Sequence, residues 1–394
     1  MKIGIYGGTF DPPHLGHMAA AQASVAVLGL DKLLFIPAKQ PPHKDLCEES
    51  ATAQQRLEMT RLMADGMQLP GVVDVSDMEL QRPGKSYTVD TLRALREQHP
   101  DDELWLLMGT DMFLTLQNWR EAEQIMALAG IAAFARAESD SNEMLQIQGK
   151  YLNETYGARV RIIQLPKIHE ISSTQVRQQG TGEGLWPPVW GHILRNGLYG
   201  VQRDLKHLSD ADLRAVSYSM IRAKRIPHIK GTEEEAVRLA RHWGANEEYA
   251  RRAAILHDCT KYLELDEHLA ICAQYGVELD EMERVAPKLL HSKSGAALAK
   301  YIFGEPEEVC RAIFWHTTGK ADMTLLEKIL YIADYMEPTR DFDGVEELRR
   351  LAYADLDSAV VLGAEMSIED MRRWGNPIHP NTQAARDFLK GLDP

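Results

Sequence analysis

The chain has 394 residues and a mass of 44.4 kDa, which exceeds the size at which a single hydrophobic core stops growing, so two domains are expected. Its 44% hydrophobic and 26% charged residues are close to the usual globular composition and exclude a largely disordered chain. The net charge of −14 argues against nucleic-acid binding, which needs a broad positive surface, but leaves small anionic substrates open.

Three further features bear on where the protein works. No apolar run approaches the roughly 18 residues needed to cross a bilayer. The start of the chain, MKIGIYGGTF, passes from one Lys to a Gly-rich turn and lacks the long apolar stretch of a secretory signal. Cys47, Cys259, Cys272 and Cys310 form no CxxC pair, which argues against a disulfide framework or a cysteine-built zinc site. We therefore expect a cytoplasmic protein that contacts no membrane.

The first 200 residues alternate between strand-like and helix-like segments. Apolar strand patterns occur at residues 2–8, 32–38, 71–80, 103–111, 130–136 and 159–166. Helical patterns separate them, among them residues 17–30, 52–66 and 88–100. This alternation predicts a doubly wound, Rossmann-like α/β domain, in which helices cover both faces of a parallel sheet.

The pattern changes after residue 202. Helical periodicity is present in residues 209–224, 233–244, 248–263, 325–336 and 355–374, and alternating strand patterns are absent. The second half should therefore be an all-α domain. A Gly/Pro-rich turn and a terminal helix within residues 180–200 close the first domain, so we expect domains at 1–202 and 203–394.

The motif GGTFDPPHLGH, residues 7–17, directly follows the first predicted strand. Ligands of doubly wound sheets bind beyond the carboxyl ends of the strands, often where a helix begins. Gly7 and Gly8 let the backbone approach a phosphate closely, and the following helix would direct unpaired N–H groups and its positive dipole end at an anion. His14 and His17 are three residues apart, so they share a helical face and can both donate to phosphate oxygens.

A second motif, ISSTQVR at residues 171–177, follows the last predicted strand and is typical of a helix start. Ser172, Ser173 and Thr174 would supply capping hydroxyls, and Arg177 can reach over the same helix end. Together with the two histidines, these groups would form a cradle for a polyphosphate.

These two motifs resemble the paired signatures of the HxGH nucleotidyltransferase superfamily, and specifically those of bacterial nicotinate-nucleotide adenylyltransferases. The segments IPAKQPPHK, SYTVDTLRALR and MGTD, together with Trp119, extend the resemblance over residues 1–200. It implies transfer of AMP from ATP, bound with Mg²⁺, to nicotinate mononucleotide, which gives nicotinate adenine dinucleotide and pyrophosphate. The mononucleotide phosphate would attack the α-phosphorus in line, without a covalent intermediate, so the protein would act by positioning and charge stabilisation.

The resemblance also implies roles for individual residues. His14, His17 and Arg177 would be catalytic, and with Ser173 and Thr174 they would hold the ATP phosphates and the departing pyrophosphate. Further substrate contacts would come from Gly7, Gly8, Thr9, Phe10 and Lys44, of which Lys44 is equally well explained as a solvated loop residue.

Four residues would bind the rest of the two nucleotides. Asp111 would bind a ribose or adenosine hydroxyl, while Tyr87 and Thr88 would contact the pyridine end. Trp119 would stack on the pyridine ring, with an ordinary core aromatic as the alternative. The sequence leaves open whether nicotinate or nicotinamide mononucleotide is preferred, because a few loop groups read that single difference.

The second half contains six scattered His and Asp residues, four of which interrupt otherwise apolar stretches, where an unpaired polar group would be costly to bury. The six residues are His228, His257, Asp258, His291, His316 and Asp334. Imidazole and carboxylate together suit Fe, Mn, Co, Zn or Ni, so metal coordination is one way to satisfy them. His257 and Asp258 are adjacent, inside a predicted apolar helix.

The order H…HD…H…H…D resembles the HD superfamily of metal-dependent phosphohydrolases, in its two-metal branch. The segments LLHSKSGA, AIFWHTTGK and ILYIADYMEPTRDF resemble symmetrical diadenosine-tetraphosphate hydrolases, within residues 210–375. The resemblance implies one metal held by His228, His257, Asp258 and Asp334. Asp258, also the catalytic residue here, would bridge to a second metal held by His291 and His316. Fe, Mn or Co are expected, and two such cations would lower the pKa of a bound water that attacks the substrate.

Lys261 and Arg340 would neutralise phosphate oxygens of diadenosine tetraphosphate, unless they are simply solvated charges. The segment IKGTEEEA after His228 is more acidic than a polyphosphate site favours. Three interpretations of this half stay open: cleavage of diadenosine tetraphosphate to two ADP, hydrolysis of another nucleotide, and a silent nucleotide-sensing module that regulates the transferase. The intact ligand set favours a hydrolase; native metal and oligomeric state stay open.

Overall fold

The computed structural model describes residues 1–42, 46, 49–135, 137, 140–202 and 204–392. The candidate substrate residue Lys44 and Cys47 lie outside the described residues. The chain divides into two compact units, Met1–Arg203 and Asp204–Pro394. Within the described ranges, no helix is both long and apolar enough to cross a membrane.

The described residues of the first unit form a six-stranded, all-parallel sheet in the order β3-β2-β1-β4-β5-β6. Its strands are β1 (Lys2–Gly8), β2 (Lys32–Pro37), β3 (Val73–Val75), β4 (Glu103–Gly109), β5 (Gly130–Phe134) and β6 (Val160–Ile163). The strand order reverses between β1 and β4, and such a switch point opens a crevice at the carboxyl ends of both strands. The predicted doubly wound α/β sheet is confirmed.

Helices cover both faces of this sheet. Those in the described part of the first unit are α1 (Leu15–Leu28), α2 (Ala53–Gly66), α3 (Met78–Gln81), α4 (Thr88–Gln98), α5 (Thr110–Leu114), α6 (Ala122–Leu128), α7 (Asn142–Tyr156), α8 (Ser173–Gln179) and α9 (Pro187–Asn196). Because side chains alternate along a strand, Ile3 and Ile5 of β1 enter one apolar core and Tyr6 enters the other. The two cores pack against opposite faces of the sheet and so fix the positions of its strand ends.

The third strand is shorter than its apolar pattern predicts. Residues 71–80 have the composition of a strand, but only Val73–Val75 pairs with β2. The chain then turns at Asp77, the residue before α3. Polar Ser76 and Asp77 interrupt the run, and they end the strand because they favour turns over an extended backbone.

The described residues of the second unit form helices and turns, and the predicted all-α domain is confirmed. Its helices are α10 (Asp210–Tyr218), α11 (Ile226–Trp243), α12 (Glu247–Leu256), α13 (Leu265–Gln274), α14 (Pro287–Tyr301), α15 (Glu307–Trp315), α16 (Leu325–Met336), α17 (Val345–Ala354), α18 (Leu356–Arg373) and α19 (Pro380–Leu389). α11 packs against α12 and α16, and α15 packs against α12, α14 and α16. α11 begins seven residues before the predicted segment at 233 and therefore includes His228.

Candidate active sites

A cleft of about 340 Å³ lies at the carboxyl ends of β1 and β4, where the strand order reverses. The candidate residues that line it are Gly7, Gly8, Thr9, Phe10, His17, Thr88, Trp119 and Ser173. The other described candidates of the first unit lie outside this lining: His14, Tyr87, Asp111, Thr174 and Arg177. The structure thus brings both ends of the predicted transferase site into one cleft.

Gly7 and Gly8, the last two residues of β1, differ in how much space lies over their backbone. A Cβ on Gly8 would lie 2.9 Å from the ring of Phe10, which is buried, so packing requires glycine there. A Cβ on Gly7 would meet no described atom within 4 Å. Open space therefore lies over Gly7, where a ligand can approach the backbone.

His14 and His17 form a close pair at the start of α1. Their ring centroids are 3.7 Å apart. The backbone N–H of His14 donates to His17 Nδ1 at 3.2 Å, so a neutral His17 carries its proton on Nε2. A Cβ on Gly16 would lie only 3.0 Å from His14 Nδ1, which explains why glycine separates the two histidines.

Two N–H groups in the first turn of α1 already have acceptors within the protein. Leu15 N–H donates to the Gly184 carbonyl and His17 N–H to the His14 carbonyl, both at 2.9 Å. The expectation that this helix start presents unpaired N–H groups to an anion is wrong at these two positions. These two N–H groups are therefore not available to an anion.

Of the three hydroxyls at the start of α8, Ser172 is the capping residue. It accepts from the N–H of Gln175 at 3.2 Å. Ser173 instead donates to the Pro12 carbonyl at 2.9 Å, and Thr174 is exposed. The prediction that all three cap the helix is therefore wrong for Ser173 and Thr174, and the Ser173 bond joins α8 to the first motif.

Asp11 is a buried carboxylate of the first motif that sequence reasoning left without a role. It is 1% exposed, and its Oδ1 accepts from Tyr199 Oη at 2.8 Å and from Ala51 N–H at 3.1 Å. Arg177 Nη1 donates to the Asp11 carbonyl at 2.5 Å, and Nη2 donates to Thr174 Oγ1 at 3.4 Å. Asp11 thus fixes the Arg177 guanidinium beside the first motif.

Arg56 of α2 is a second residue that the sequence did not reveal. It is fully buried, and its guanidinium donates to the carbonyls of Thr9, Ala38, Lys39 and Ala51 at 2.8, 2.6, 3.1 and 3.3 Å. Thr9 and Ala38 follow β1 and β2, and both line the cleft. Arg56 therefore sets the separation of two cleft walls. An arginine in an amphipathic helix is normally a solvated residue, which is why the pattern gave no signal.

Replacing Arg56 with glutamine should lower the free energy of opening of the first unit by about 2–4 kcal/mol, because several buried carbonyls lose their donors. Hydrogen-exchange mass spectrometry measures each unit separately within the intact chain. Arg61→Gln, an exposed position of the same helix, is the matched control and should change opening by under about 0.5 kcal/mol. Equal protection in both variants would contradict this role for Arg56.

A buried carboxylate, Glu79, lies in the cleft lining together with Thr88 and Trp119. It is 6% exposed and accepts from Thr91 Oγ1 at 2.6 Å. Burial raises the pKa of Glu79 above its ordinary value, and hydrogen bonds from Thr91 and Ser86 offset this only in part. Because Ser86 directly precedes the predicted pyridine contacts, Glu79 supports the segment that carries them.

Tyr87 and Asp111 stand apart from this lining. Tyr87 is the residue before α4, and the Arg120 guanidinium lies 4.5 Å from its ring centroid. Asp111 is exposed in the first turn of α5, directly after β4. Neither side chain therefore contributes to the cleft wall.

In the second unit, the six candidate metal ligands come together from five helices or their ends. His228 lies on α11, His291 on α14 and Asp334 on α16, while His257 and His316 end α12 and α15. Asp258 lies in the turn after α12, so the expectation that His257 and Asp258 lie inside a helix is wrong. A turn lets these adjacent side chains converge, whereas a continuous helix would place them about 100° apart.

The two carboxylate oxygens of Asp258 lie beside different histidine pairs. Oδ2 lies 3.8 Å from His228 Nε2 and 3.7 Å from His257 Nε2. Oδ1 lies 3.1 Å from His291 Nε2 and 3.9 Å from His316 Nε2. These distances place Asp258 between two sets of potential ligands. Its side chain is fully buried.

Asp334 completes the first of these sets. Its Oδ1 lies 3.1 Å from His228 Nε2 and 3.7 Å from His257 Nε2. His257 and His316 each donate through Nδ1 to the carbonyl three residues earlier, at 2.6 and 2.7 Å. This bond leaves the Nε2 lone pair directed at the centre, as in metal-binding histidines.

Electrostatics favour the ligand form of these groups. Burial lowers the pKa of His257, His291 and His316 to about 4, so they are neutral at neutral pH. Burial opposes ionisation of Asp258, but His257, His291 and Lys261 outweigh it and hold the pKa of Asp258 well below its usual range. Three imidazoles of the centre are therefore neutral beside an ionised carboxylate, a combination that suits a divalent cation. At His228, by contrast, burial is outweighed by hydrogen bonds to Asp334 and Glu337, which raise its pKa.

Three cations contact the acidic side chains of this centre. Lys261 Nζ lies 3.5 Å from Asp258 Oδ1, and Arg340 Nη2 donates to Asp334 Oδ1 at 3.0 Å. Arg225, which the sequence did not reveal, donates from Nε to Asp258 Oδ2 at 2.7 Å. Its position three residues before His228 is the signal that was available. Lys261 and Arg340 are thus ion-paired with candidate ligands.

Glu337 is a further buried carboxylate at this centre. It accepts from His228 Nδ1 at 3.0 Å and from the Thr339 N–H at 2.7 Å. A Cβ on Gly231 would collide with the Glu337 side chain, so glycine is required opposite it. The acidic segment after His228 is partly paired elsewhere: Glu233 binds Arg214 through two hydrogen bonds.

Comparison with known families agrees with this division. Residues 5–179 match the Cytidylyltransferase-like family, and residues 225–339 match the HD domain family. The chain therefore joins a cytidylyltransferase-like domain to an HD domain. Through its first half it belongs to the nicotinate-nucleotide adenylyltransferase family, as the individual relatives establish.

A probable nicotinate-nucleotide adenylyltransferase from Neisseria meningitidis serogroup C is 36% identical over 200 residues, which cover 50% of this chain and 98% of that protein. One from Symbiobacterium thermophilum is 36% identical over 203 residues, covering 50% of this chain and 95% of the relative. The crystal structure of a "predicted HD superfamily hydrolase involved in NAD metabolism" from Clostridium acetobutylicum is 39% identical, covers 47% of this chain and 98% of that chain, and has a TM-score of 0.46. The family matches over residues 5–179 and 225–339 confirm the predicted fusion with an HD domain.

Proposed function

We propose that the chain is a bifunctional enzyme. Its first domain, residues 1–202, would transfer AMP from ATP to nicotinate mononucleotide, giving nicotinate adenine dinucleotide and pyrophosphate. The observation that carries this proposal is the cleft at the switch point, which His17, Ser173 and Trp119 all line in a chain of the adenylyltransferase family. Mg²⁺ would arrive with ATP as part of the substrate.

Charge stabilisation at the phosphates is the main work of this domain. His17 would donate from Nε2 to a phosphate oxygen, and the close, tilted contact with the His14 ring would hold the His17 ring in place. Arg177, fixed by Asp11 and in contact with Thr174, would stabilise the charge that develops on the departing pyrophosphate. Ser173 and Thr174 would help to hold the phosphates. No covalent bond to the protein is needed, because positioned donors and an in-line geometry lower the barrier.

The mononucleotide would occupy the part of the cleft beside Trp119. The Trp119 indole would stack on the pyridine ring, and Thr88 and Tyr87 would contact the ring substituent. Asp111 would bind a ribose or adenosine hydroxyl at the edge of the cleft.

Chromatography of the products formed from ATP, Mg²⁺ and nicotinate mononucleotide tests this activity. We expect nicotinate adenine dinucleotide and pyrophosphate in equal amounts, and a parallel reaction with nicotinamide mononucleotide measures the preference between the two. Failure to form a dinucleotide from either mononucleotide would overturn the proposal for this domain.

We propose further that the second domain, residues 203–394, cleaves diadenosine tetraphosphate symmetrically to two ADP. The observation that carries this step is the position of Asp258, with one oxygen beside each of two histidine pairs. That donor set fits two divalent ions such as Fe, Mn or Co, one with His228, His257 and Asp334 and the other with His291 and His316, and Asp258 between them. Bound there, two ions would supply an activated water and neutralise phosphate charge.

The charges of the surrounding side chains support a polyphosphate substrate. Three carboxylates, Asp258, Asp334 and Glu337, are matched by the cations Arg225, Lys261 and Arg340. Two divalent ions would therefore leave the centre with about four uncompensated positive charges, which a chain of phosphates can neutralise. Lys261 and Arg340 would hold the outer phosphates and orient the substrate for in-line cleavage.

Chromatographic analysis after incubation with diadenosine tetraphosphate and Mn²⁺, Co²⁺ or Fe²⁺ tests this second activity. Two ADP as the sole products are expected. ATP with AMP would contradict symmetrical cleavage. No turnover with any of the metals would overturn the substrate assignment and favour another nucleotide or a regulatory module.

A further inference from the structure

Arg225 contacts the proposed metal centre in a way that a simple ion pair does not explain. It directly precedes α11, and its Nε and Nη2 lie 2.7 and 2.5 Å from the same oxygen, Asp258 Oδ2. That oxygen is the one beside His228 and His257. The guanidinium therefore occupies the carboxylate oxygen that a metal ion between these histidines would need.

A divalent ion and a guanidinium cannot share this oxygen without strong mutual repulsion. Asp258 is fully buried, and charges interact more strongly away from water. The Arg225 side chain is 22% exposed, so solvent reaches it and it can leave the carboxylate without unpacking the core. Metal binding should therefore displace Arg225 from Asp258.

The unused N–H donors of Arg225 indicate what kind of group the displaced guanidinium would bind. A guanidinium has five N–H donors, and within the described residues this side chain forms hydrogen bonds to Asp258 only. Arg56, by contrast, is fully buried and holds four backbone carbonyls, as a purely structural arginine does. An arginine with unused donors beside a phosphate site is suited to bidentate phosphate binding.

Resting on the hydrolase function proposed above, we propose that Arg225 has two successive partners. Before metal binds, it neutralises Asp258 as a counter-cation. Once divalent ions occupy the centre, it moves from Asp258 to a phosphate of the nucleotide substrate. Arg225 is thus a substrate-binding residue whose availability depends on the metal.

The test compares Arg225→Gln and Arg225→Lys with Lys224→Gln, which removes a positive charge from the neighbouring exposed position. Isothermal titration of the metal-free full chain with Mn²⁺ measures metal affinity without any turnover. We expect Arg225→Gln to bind Mn²⁺ about tenfold more tightly, because the competing cation is gone. Arg225→Lys keeps the charge and should stay within about threefold of the parent, as should Lys224→Gln.

The second measurement titrates ADP into the Mn²⁺-loaded chain and follows the electron paramagnetic resonance of the bound ions, which reports on ligands at the ions themselves. ADP affinity should fall about tenfold or more in Arg225→Gln and also in Arg225→Lys, which lacks the planar fork. A gain in metal affinity with a loss in ADP affinity is a combination that a structural arginine does not produce.

Two results would overturn the inference. Unchanged or weaker Mn²⁺ binding in Arg225→Gln would show that Arg225 does not compete with metal, and unchanged ADP affinity would show that it does not bind phosphate. If Arg225→Gln fails to fold, Arg225→Lys carries the test through its ADP affinity alone. Failure of the parent chain to cleave diadenosine tetraphosphate, with both Arg225 effects present, would remove only the proposed substrate.

Discussion

Replacing His17 with alanine should lower kcat for adenylyl transfer about 10²–10³-fold, the effect of losing one preorganised donor to a charged transition state. His17 lines the cleft, and the His14 N–H at its Nδ1 places the proton of the neutral ring on Nε2. The donor is thus fixed before substrate binds. Coupled detection of pyrophosphate measures the rate, and diadenosine-tetraphosphate hydrolysis in the same preparation shows whether the second domain still works.

Two amide variants sharpen this prediction. The amide of His17→Gln lies near the position of Nε2, whereas the amide of His17→Asn lies near Nδ1. Gln should therefore retain at least tenfold more activity than Asn or Ala if Nε2 is the donor. His99→Ala is the matched control, since His99 pairs with Asp102 outside the cleft lining and should leave transfer unchanged. Equal activity of the Gln and Asn variants would contradict donation from Nε2.

The strands and most helices of this chain could be predicted because their signals are local. β1 and β2 are short apolar runs that end at glycine and proline, and α16 and its predicted segment coincide at residues 325–336. The alternation of the two patterns also predicted the parallel sheet, because a helix must cross between parallel strands. Apolar periodicity carries this information within a single segment.

Side chains buried by contacts distant in sequence could not be predicted in the same way. From the sequence, Arg56 resembles a solvated residue of an amphipathic helix. In the structure, the loops after β1 and β2 surround its guanidinium. The contacts of Arg225 and Glu337 form only in the folded chain, where α11, the turn after α12 and α16 lie together. The sequence around either residue therefore did not indicate its role. The local sequence does not distinguish a charged side chain that faces water from one that packs against another helix or loop.

The start of α1 also shows what a local motif can and cannot predict. The first motif predicts a helix that presents unpaired N–H groups, and α1 does begin there. However, the N–H of Leu15 donates to the carbonyl of Gly184, which is distant in the chain. Whether a helix start is open to an anion therefore depends on which loop packs over it, and a local motif does not contain that information.

Replacing His291 and His316 together with alanine should abolish the hydrolysis proposed for the second domain, with a loss of about 10³-fold or more, because several kcal/mol of metal-derived stabilisation disappear. Both Nε2 atoms lie beside Asp258 Oδ1 and 3.1 Å from each other, so they form one half of the proposed centre. Mn²⁺ stoichiometry, measured by titration, should fall from about two ions to about one. Adenylyl transfer should stay at the parent rate.

The buried position of both histidines makes a fold control necessary. His291→Gln with His316→Asn keeps more of the side-chain volume and should restore folding, as judged by circular dichroism, while still binding only one ion. His242→Ala, an exposed histidine of α11 outside the centre, should keep both ions and full hydrolysis. Hydrolysis at the parent rate by the metal-loaded double variant would contradict the two-ion arrangement and leave His228, His257 and Asp334 as the complete site.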